Sequence, residues 1–363
     1  MTEPDAAPKH RMLGLDVARA LAIIGMVMVH FGPTRSDEDL LGRLYGMTHG
    51  RASILFVVLA GIGVSLLAGD RSLQRLRSAG ARLAFRALLL LPMGLALQEL
   101  DVNVLVILQY YALYFLVAFL LVPLGDRVVL AVAAVAMVGG PVTYIGLWRA
   151  QPEWFASRVP AAWSDGAGEI IRDLLLTGSY PVLTWIGPVL FGLWLGRQDL
   201  RSTAVRVRLV VGGAVTAGVA YGTSTVLTAR YGAPTIAPAW DELLVAEAHS
   251  QMPLWLLGAT GVATAVVGAS LLVSTRLPRG TWPLAATGQL ALTVYVGHLL
   301  VLGFEPDLLV RETVEGAVRT VGAFTAVTVV LCSAWRAVLS RGPLEAVLRL
   351  PWAWRPRPRE TPG

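Results

Sequence analysis

Charge is what this sequence has least of. Only 15% of its 363 residues are Asp, Glu, Lys or Arg, whereas 55% are hydrophobic and the mean hydropathy is +0.62. Soluble domains carry roughly 25% charged residues, so an ordinary soluble globule is excluded. Cysteine is nearly absent. Cys332 stands alone, which excludes an intrachain disulfide and a cysteine-built zinc site, and its apolar surroundings read as packing. Lysine is reduced to Lys9, so the cations are almost all arginine. No Ser- or Gly-rich linker divides the chain. No small-residue cleavage site follows the first apolar run, which is expected to be a retained helix. An internal repeat is also missing, which argues against a transporter built from inverted halves.

What is present is a series of apolar segments of bilayer length. Ten can span: 12–33, 51–69, 81–98, 103–124, 127–148, 180–197, 206–229, 253–275, 282–303 and 317–339. The arginines alternate with them. Arg71, Arg75, Arg77, Arg82 and Arg86 cluster between or just inside spans two and three; Arg197, Arg201, Arg206 and Arg208 around the junction of six and seven; Arg276 and Arg279 between eight and nine. Arg336, Arg341, Arg349, Arg355, Arg357 and Arg359 close the chain, and the intervening loops are rich in Asp and Glu. The positive-inside rule then places both termini and every arginine-rich loop in the cytoplasm. The expected fold is an all-α, polytopic membrane bundle of about ten helices in a bacterial-type plasma membrane. Residues 1–343 form one bundle and 344–363 a cytoplasmic basic tail. Trp352 and Trp354 among arginines suit the lipid interface. The net charge of +6 therefore speaks for topology and membrane lipid, not for nucleic acid.

Ionisable groups inside the spans are the candidate chemistry. Asp16, Arg19 and His30 fall on one face of the first helix, with Asp16 and Arg19 neighbours at i,i+3 and His30 about 16 Å further along. His49 opens span two and His298 lies in the outer half of span nine. Three histidines at one depth on three helices suit proton transfer near neutral pH. His249 falls in the large outer loop before span eight, and His10 in the N-terminal tail. No HExxH or i,i+4 histidine pair is present, so no metal is expected. Further polar residues are Arg51 and Ser53 after His49, Gln109 with Tyr110, Tyr111 and Tyr114 in span four, Tyr180 and Trp185 in span six, and Gln289, Thr293 and Tyr295 in span nine. Aromatics near helix ends are equally at home in an interfacial belt. The Arg71, Arg75, Arg77 cluster suits a phosphate-rich donor or anionic lipid as well as topology.

The opening LDVARALAIIGMVMVH resembles the first helix of the acyltransferase 3 family, with Arg19, ten residues and then His30 matching its Arg-x10-His motif. THGRASILFVVLAGIGVSLL, YPVLTWIGPVLFGLWLGR and TGQLALTVYVGHLLVL resemble the heparan-α-glucosaminide N-acetyltransferase family, and these groups form the transmembrane acyltransferase superfamily. The resemblance implies transfer of an acyl group, acetyl above all, from cytoplasmic acetyl-CoA or another acyl-CoA to a hydroxyl or amine. The acceptor, a glycan or small molecule, would be handled on the far side. His49 resembles the non-cytoplasmic histidine of the glucosaminide enzymes, within a shorter outer loop. On this reading His30, His49 and His298 are the candidate bases. Asp16, Arg19, Arg51, Gln109, Tyr180, Trp185 and Tyr295 line the substrate path, and Arg71, Arg75 and Arg77 hold the donor. A homodimer is compatible. The alternative is a proton-coupled transporter or flippase using the same polar residues as a relay.

Overall fold

The computed structural model describes residues 11–33, 40–100, 104–156, 160–234 and 237–353, and among these the regular structure is helical throughout. The N-terminal His10 and the basic residues after Trp354 lie outside the described residues. Helices α1 (Leu13–Phe31), α3 (Arg51–Ala68), α8 (Val182–Leu195) and α10 (Pro253–Arg276) occupy the middle of the bundle. α1 packs on α11 (Pro278–Gln289), and α3 packs on α8. Glycines permit the closest of these contacts. A Cβ on Gly61 would meet the backbone of α8, and one on Gly288 would overlap the carbonyl of Asp16, so both pairs approach backbone to backbone.

Around this middle run α4 (Leu73–Gln98), α6 (Asp126–Ala150), α9 (Thr203–Tyr231) and α13 (Val314–Val338). α9 and α13 expose most of their apolar surface, as Val207, Val211, Val215 and Val219 illustrate on α9. Polar backbone is closed within these helices, so such valine faces need only lipid.

Seven helices among the described residues are long and apolar enough to cross a membrane unaided. Two bent pairs raise the number to nine. One joins Ala167–Thr177 to Val182–Leu195 at 58°, and the other joins α11 to α12 (Ala291–Phe304) at 62°. The expected fourth span, 103–124, shrinks to α5 (Leu108–Leu120), whose 13 residues rise about 20 Å. It is short because Val104–Ile107 runs non-helically before it.

Non-helical backbone inside a bundle must be satisfied by side chains, and here it is. Gln98 Oε1 accepts from the Val106 amide at 3.1 Å and Gln98 Nε2 donates to the Val104 carbonyl at 3.3 Å. Tyr180 donates to the Leu105 carbonyl, and the Tyr295 hydroxyl accepts from the Ile107 amide, both at 3.3 Å. At the second break, Tyr114 donates to the Tyr180 carbonyl at 2.5 Å and Gln251 Nε2 to the Gly178 carbonyl at 3.2 Å. At the third, the Glu345 carboxylate accepts from the amides of Leu292 and Thr293. Glu345 belongs to α14 (Pro343–Val347), which packs on α12. The expected boundary at residue 343 therefore cuts an element that is part of the bundle.

Candidate active site

At the arginine-rich end, Asp16 is the hub. It is 1% exposed and takes Arg11 Nε at 2.6 Å, Arg11 Nη2 at 2.9 Å and Arg19 Nη1 at 2.6 Å. Gln289 Nε2 adds a longer bond at 3.3 Å, and Arg336 Nε holds Gln289 Oε1 at 2.7 Å. Arg86 lies within electrostatic reach of Arg19, Arg82 and Arg349, and Arg349 within reach of Arg11, Arg82 and Arg341. Asp16 compensates Arg11 and Arg19, yet several further guanidiniums share the same small region. Such a concentration of guanidiniums around Arg86 and Arg349 suits an anion.

Arg71, Arg75 and Arg77 lie elsewhere. Arg71 donates to the Leu124 carbonyl at 3.4 Å, Arg75 pairs loosely with Asp70 at 3.9 Å, and Arg77 is exposed. Arg75 precedes Arg86 by about 16 Å along α4. The convergent arginines are instead those on α1, the middle of α4 and the segment after α13.

Deeper in the bundle, His30 Nδ1 and His298 Nε2 share a hydrogen bond of 2.9 Å, with their rings stacked at 5.2 Å. His298 is held further by the Val294 carbonyl at 3.3 Å and by the edge of Tyr295. His49 is buried beside Tyr45, with ring centres 6.1 Å apart, and it acts electrostatically on both His30 and His249.

His249 was placed by sequence in an outer loop. The structure folds that loop inward. His249 and Gln251 both adopt left-handed backbone, at φ 60 and 63, which is uncommon for such residues. Gln251 ties the turn to α8 through Thr184 Oγ1 at 2.7 Å and to Gly178. The His249 ring thereby enters an aromatic cluster with Tyr180 at 5.6 Å, Trp255 at 5.9 Å and Trp185 at 6.1 Å. Burial lowers its pKa to about 4, with His49 adding to the effect, so the ring is neutral at pH 7. No motif announces this; only the tertiary anchor at Gln251 brings the histidine in. His249 also lines a cavity of about 580 Å³ with Tyr144, Trp148, Glu242, Glu247 and Gln251.

The remaining expected site residues divide. Tyr180 and Tyr295 border the histidines, but their hydroxyls bond to backbone at the Val104–Ile107 break. Trp185 is fully buried, and its indole N–H has no partner among the described residues. Gln109 is 0% exposed, and among the described residues neither its amide atoms nor the buried Tyr111 hydroxyl has a partner. Tyr111 lies within electrostatic reach of Arg19 on one side and Tyr295 on the other. Arg51 is taken up elsewhere: its Nε donates to the Tyr221 hydroxyl at 3.0 Å, its guanidinium covers the Tyr221 ring, and its Nη1 reaches the Met47 carbonyl. It anchors α3 on α9. Among the described residues, no group of three or more His, Cys, Asp or Glu side chains is arranged to hold a metal ion.

The model of the heparan-alpha-glucosaminide N-acetyltransferase catalytic family matches residues 11–222, more than half of the chain. The chain belongs to that family. Residues 197–355 match a second family, described as a protein of unknown function, DUF418. No curated protein matches the chain. The Arg-x10-His spacing remains a resemblance of motif. The chain is thus a multi-pass membrane member of an acetyltransferase family. Within this acetyltransferase-family chain, His30 and His49 fall in the first matched region and His249 and His298 in the second. The 2.9 Å bond between His30 and His298 joins the two.

Proposed function

We propose that this protein is an acyl-CoA-dependent acyltransferase of a bacterial-type plasma membrane. It would move an acyl group, acetyl in the first instance, from a cytoplasmic donor to a hydroxyl or amine of an acceptor on the other side. The observation that carries the reading is the His30–His298 pair, set between a concentration of arginines at one end and the His249 cavity at the other. The arginine asymmetry makes the first end cytoplasmic.

The donor set fits the chemistry of acyl-CoA. Arg86, Arg349 and their neighbours would take the phosphates. Tyr111, within electrostatic reach of Arg19 and Tyr295, offers a hydroxyl, and the buried Gln109 beside Gly94 an amide donor and acceptor, all without a partner among the described residues. Buried polar groups without partners cost about 1–3 kcal/mol each, and the amides of a pantetheine arm are matched partners for them. A bound acyl-CoA supplies a thioester carbonyl activated for attack.

His30 is the base of this reading. Its imidazole takes the acceptor's proton as the new C–O or C–N bond forms and the C–S bond breaks. His298, bonded to it, steadies the imidazolium that forms, and the proton then passes from His30 to the departing sulfur. His249 meets the acceptor at the cavity floor, and Glu242 and Glu247 give the cavity an acidic wall. Trp185 contributes an unused N–H donor beside His249.

Membranes containing the protein, incubated with labelled acetyl-CoA and a panel of sugars, amino sugars and lipid-linked glycans, should transfer label to at least one acceptor. Substrate flux across the membrane without covalent change would favour the transporter alternative.

A further inference from the structure

The residue that sets the geometry of the histidine pair lies outside it. Helix α12 begins at a 62° break after Leu290. Its first amides have no intrahelical acceptors. Glu345, more than fifty positions later, serves them instead. Its Oε1 accepts from the Leu292 amide at 2.8 Å and the Thr293 amide at 3.1 Å, and its Oε2 accepts from Thr293 Oγ1 at 2.6 Å. Thr293 Oγ1 in turn accepts from the Leu344 amide at 3.2 Å. A carboxylate also suits the positive end of a helix dipole.

The other side of the break is fixed independently. Gln289, the last residue of α11, is held between Arg336 and Asp16. The break is thus clamped on both sides by the chain after residue 335, and the angle between the clamps decides where the next turns of α12 arrive. Those turns carry Tyr295 and His298.

We propose that Glu345 is a positioning residue: by holding the first turn of α12 it keeps His298 within hydrogen-bond distance of His30. The proposal rests on the acyltransferase reading only for its kinetic consequences. Glu345→Gln keeps size and one acceptor oxygen but loses the charge and the second oxygen. A misplacement of about 1 Å at a reacting group can cost 10²-fold, so kcat should fall between about 10- and 100-fold while KM for donor and acceptor stays within about twofold. A residue that acts through His298 should add nothing once that imidazole is gone, so Glu345→Gln in a His298→Asn background should cause no further loss. Thr293→Val, which removes the two bonds of Oγ1 but leaves both amide bonds to Glu345, should reproduce a smaller part of the effect if the glutamate variant folds poorly. Full activity in Glu345→Gln, a rise in KM that matches the fall in kcat, or an additive double mutant would overturn the proposal.

An experimental structure of Glu345→Gln decides the matter without turnover. Separation of His298 from His30 is the expected result, and an unchanged pair contradicts it. If the unaltered protein transfers no acyl group, the acyltransferase reading fails and that structural comparison still judges Glu345.

Discussion

The uninterrupted helices and the interrupted ones are built for different tasks. α9 and α13 satisfy their backbone internally and present valines outward. α5, α8 and α12 each begin at a gap in regular structure, and each gap is closed by side chains from other elements. Two of the three gaps adjoin the histidines: Tyr295 bridges the first to His298, and Tyr180 links the first and second to His249, whereas the third lies beside Asp16. A helix that stops inside a membrane frees its end to be aimed, and the cost of stopping is met by Gln98, Tyr114, Tyr180, Gln251, Tyr295 and Glu345. His30 stands on an uninterrupted helix, and His298, His249 and His49 come within its electrostatic reach from segments beside a break or a turn.

The largest effect should come from the helix aimed most directly at the centre. His298→Asn retains a hydrogen-bonding group on α12 but loses the basic ring. It should lower kcat by about 10²–10⁴-fold with donor binding intact, measured by labelled acetyl transfer. Next, the donor site separates the two candidate arginine groups. Arg86→Gln should raise KM for acetyl-CoA by about 10–100-fold, the loss of one charge-assisted contact of about 1.5–3 kcal/mol, and by more than Arg75→Gln does. The reverse order would return the donor to the exposed end of α4.

The third prediction contrasts the two kinds of helix by stability. Tyr114→Phe strands the Tyr180 carbonyl in the interior and should cost about 1–3 kcal/mol. Thr225→Val on α9 removes a hydroxyl bonded only to its own helix at Tyr221 and should change stability by less than about 0.5 kcal/mol. Denaturant or thermal unfolding in detergent compares them, and equal costs would erase the distinction. The smallest effect concerns the folded-in loop. With its pKa lowered to about 4 in the native protein against an ordinary 6.5, His249 takes up its proton more readily when unfolded. Its contribution is complete above pH 6.5 and is lost as pH falls towards 4. His249→Asn should flatten the decline of the unfolding temperature across that window relative to the unaltered protein.

How much of this was legible depends on the physics that fixes each part. Apolar length is local, so the proposed spans coincide with helices except that span four holds only the short α5 and span nine is broken between α11 and α12, and Asp16 and Arg19 pair at i,i+3 as their spacing requires. The gaps are not local. Leu290 carries no helix-breaking residue, and only Glu345 and Gln289 make a break there tolerable. Tyr180 and Tyr295 were recognisable as polar residues inside spans, but whether a hydroxyl serves a substrate or a neighbouring backbone is set by a contact far away in sequence. His249 and the arginine cluster around Arg86 were hidden for the same reason: both are made by elements meeting, and neither by a motif. Arg51 shows the converse, a residue in a suggestive place whose charge is occupied by Tyr221.

The central claim is that the His30–His298 pair is the acid–base centre of acyl transfer, and the most direct test is His30→Gln in labelled acetyl-CoA transfer by purified protein in lipid vesicles. The account predicts normal insertion, donor affinity close to that of the unaltered protein, and a rate lower by about 10²–10⁴-fold. Transfer at the unaltered rate would contradict it, and would move the base to His49 or His249.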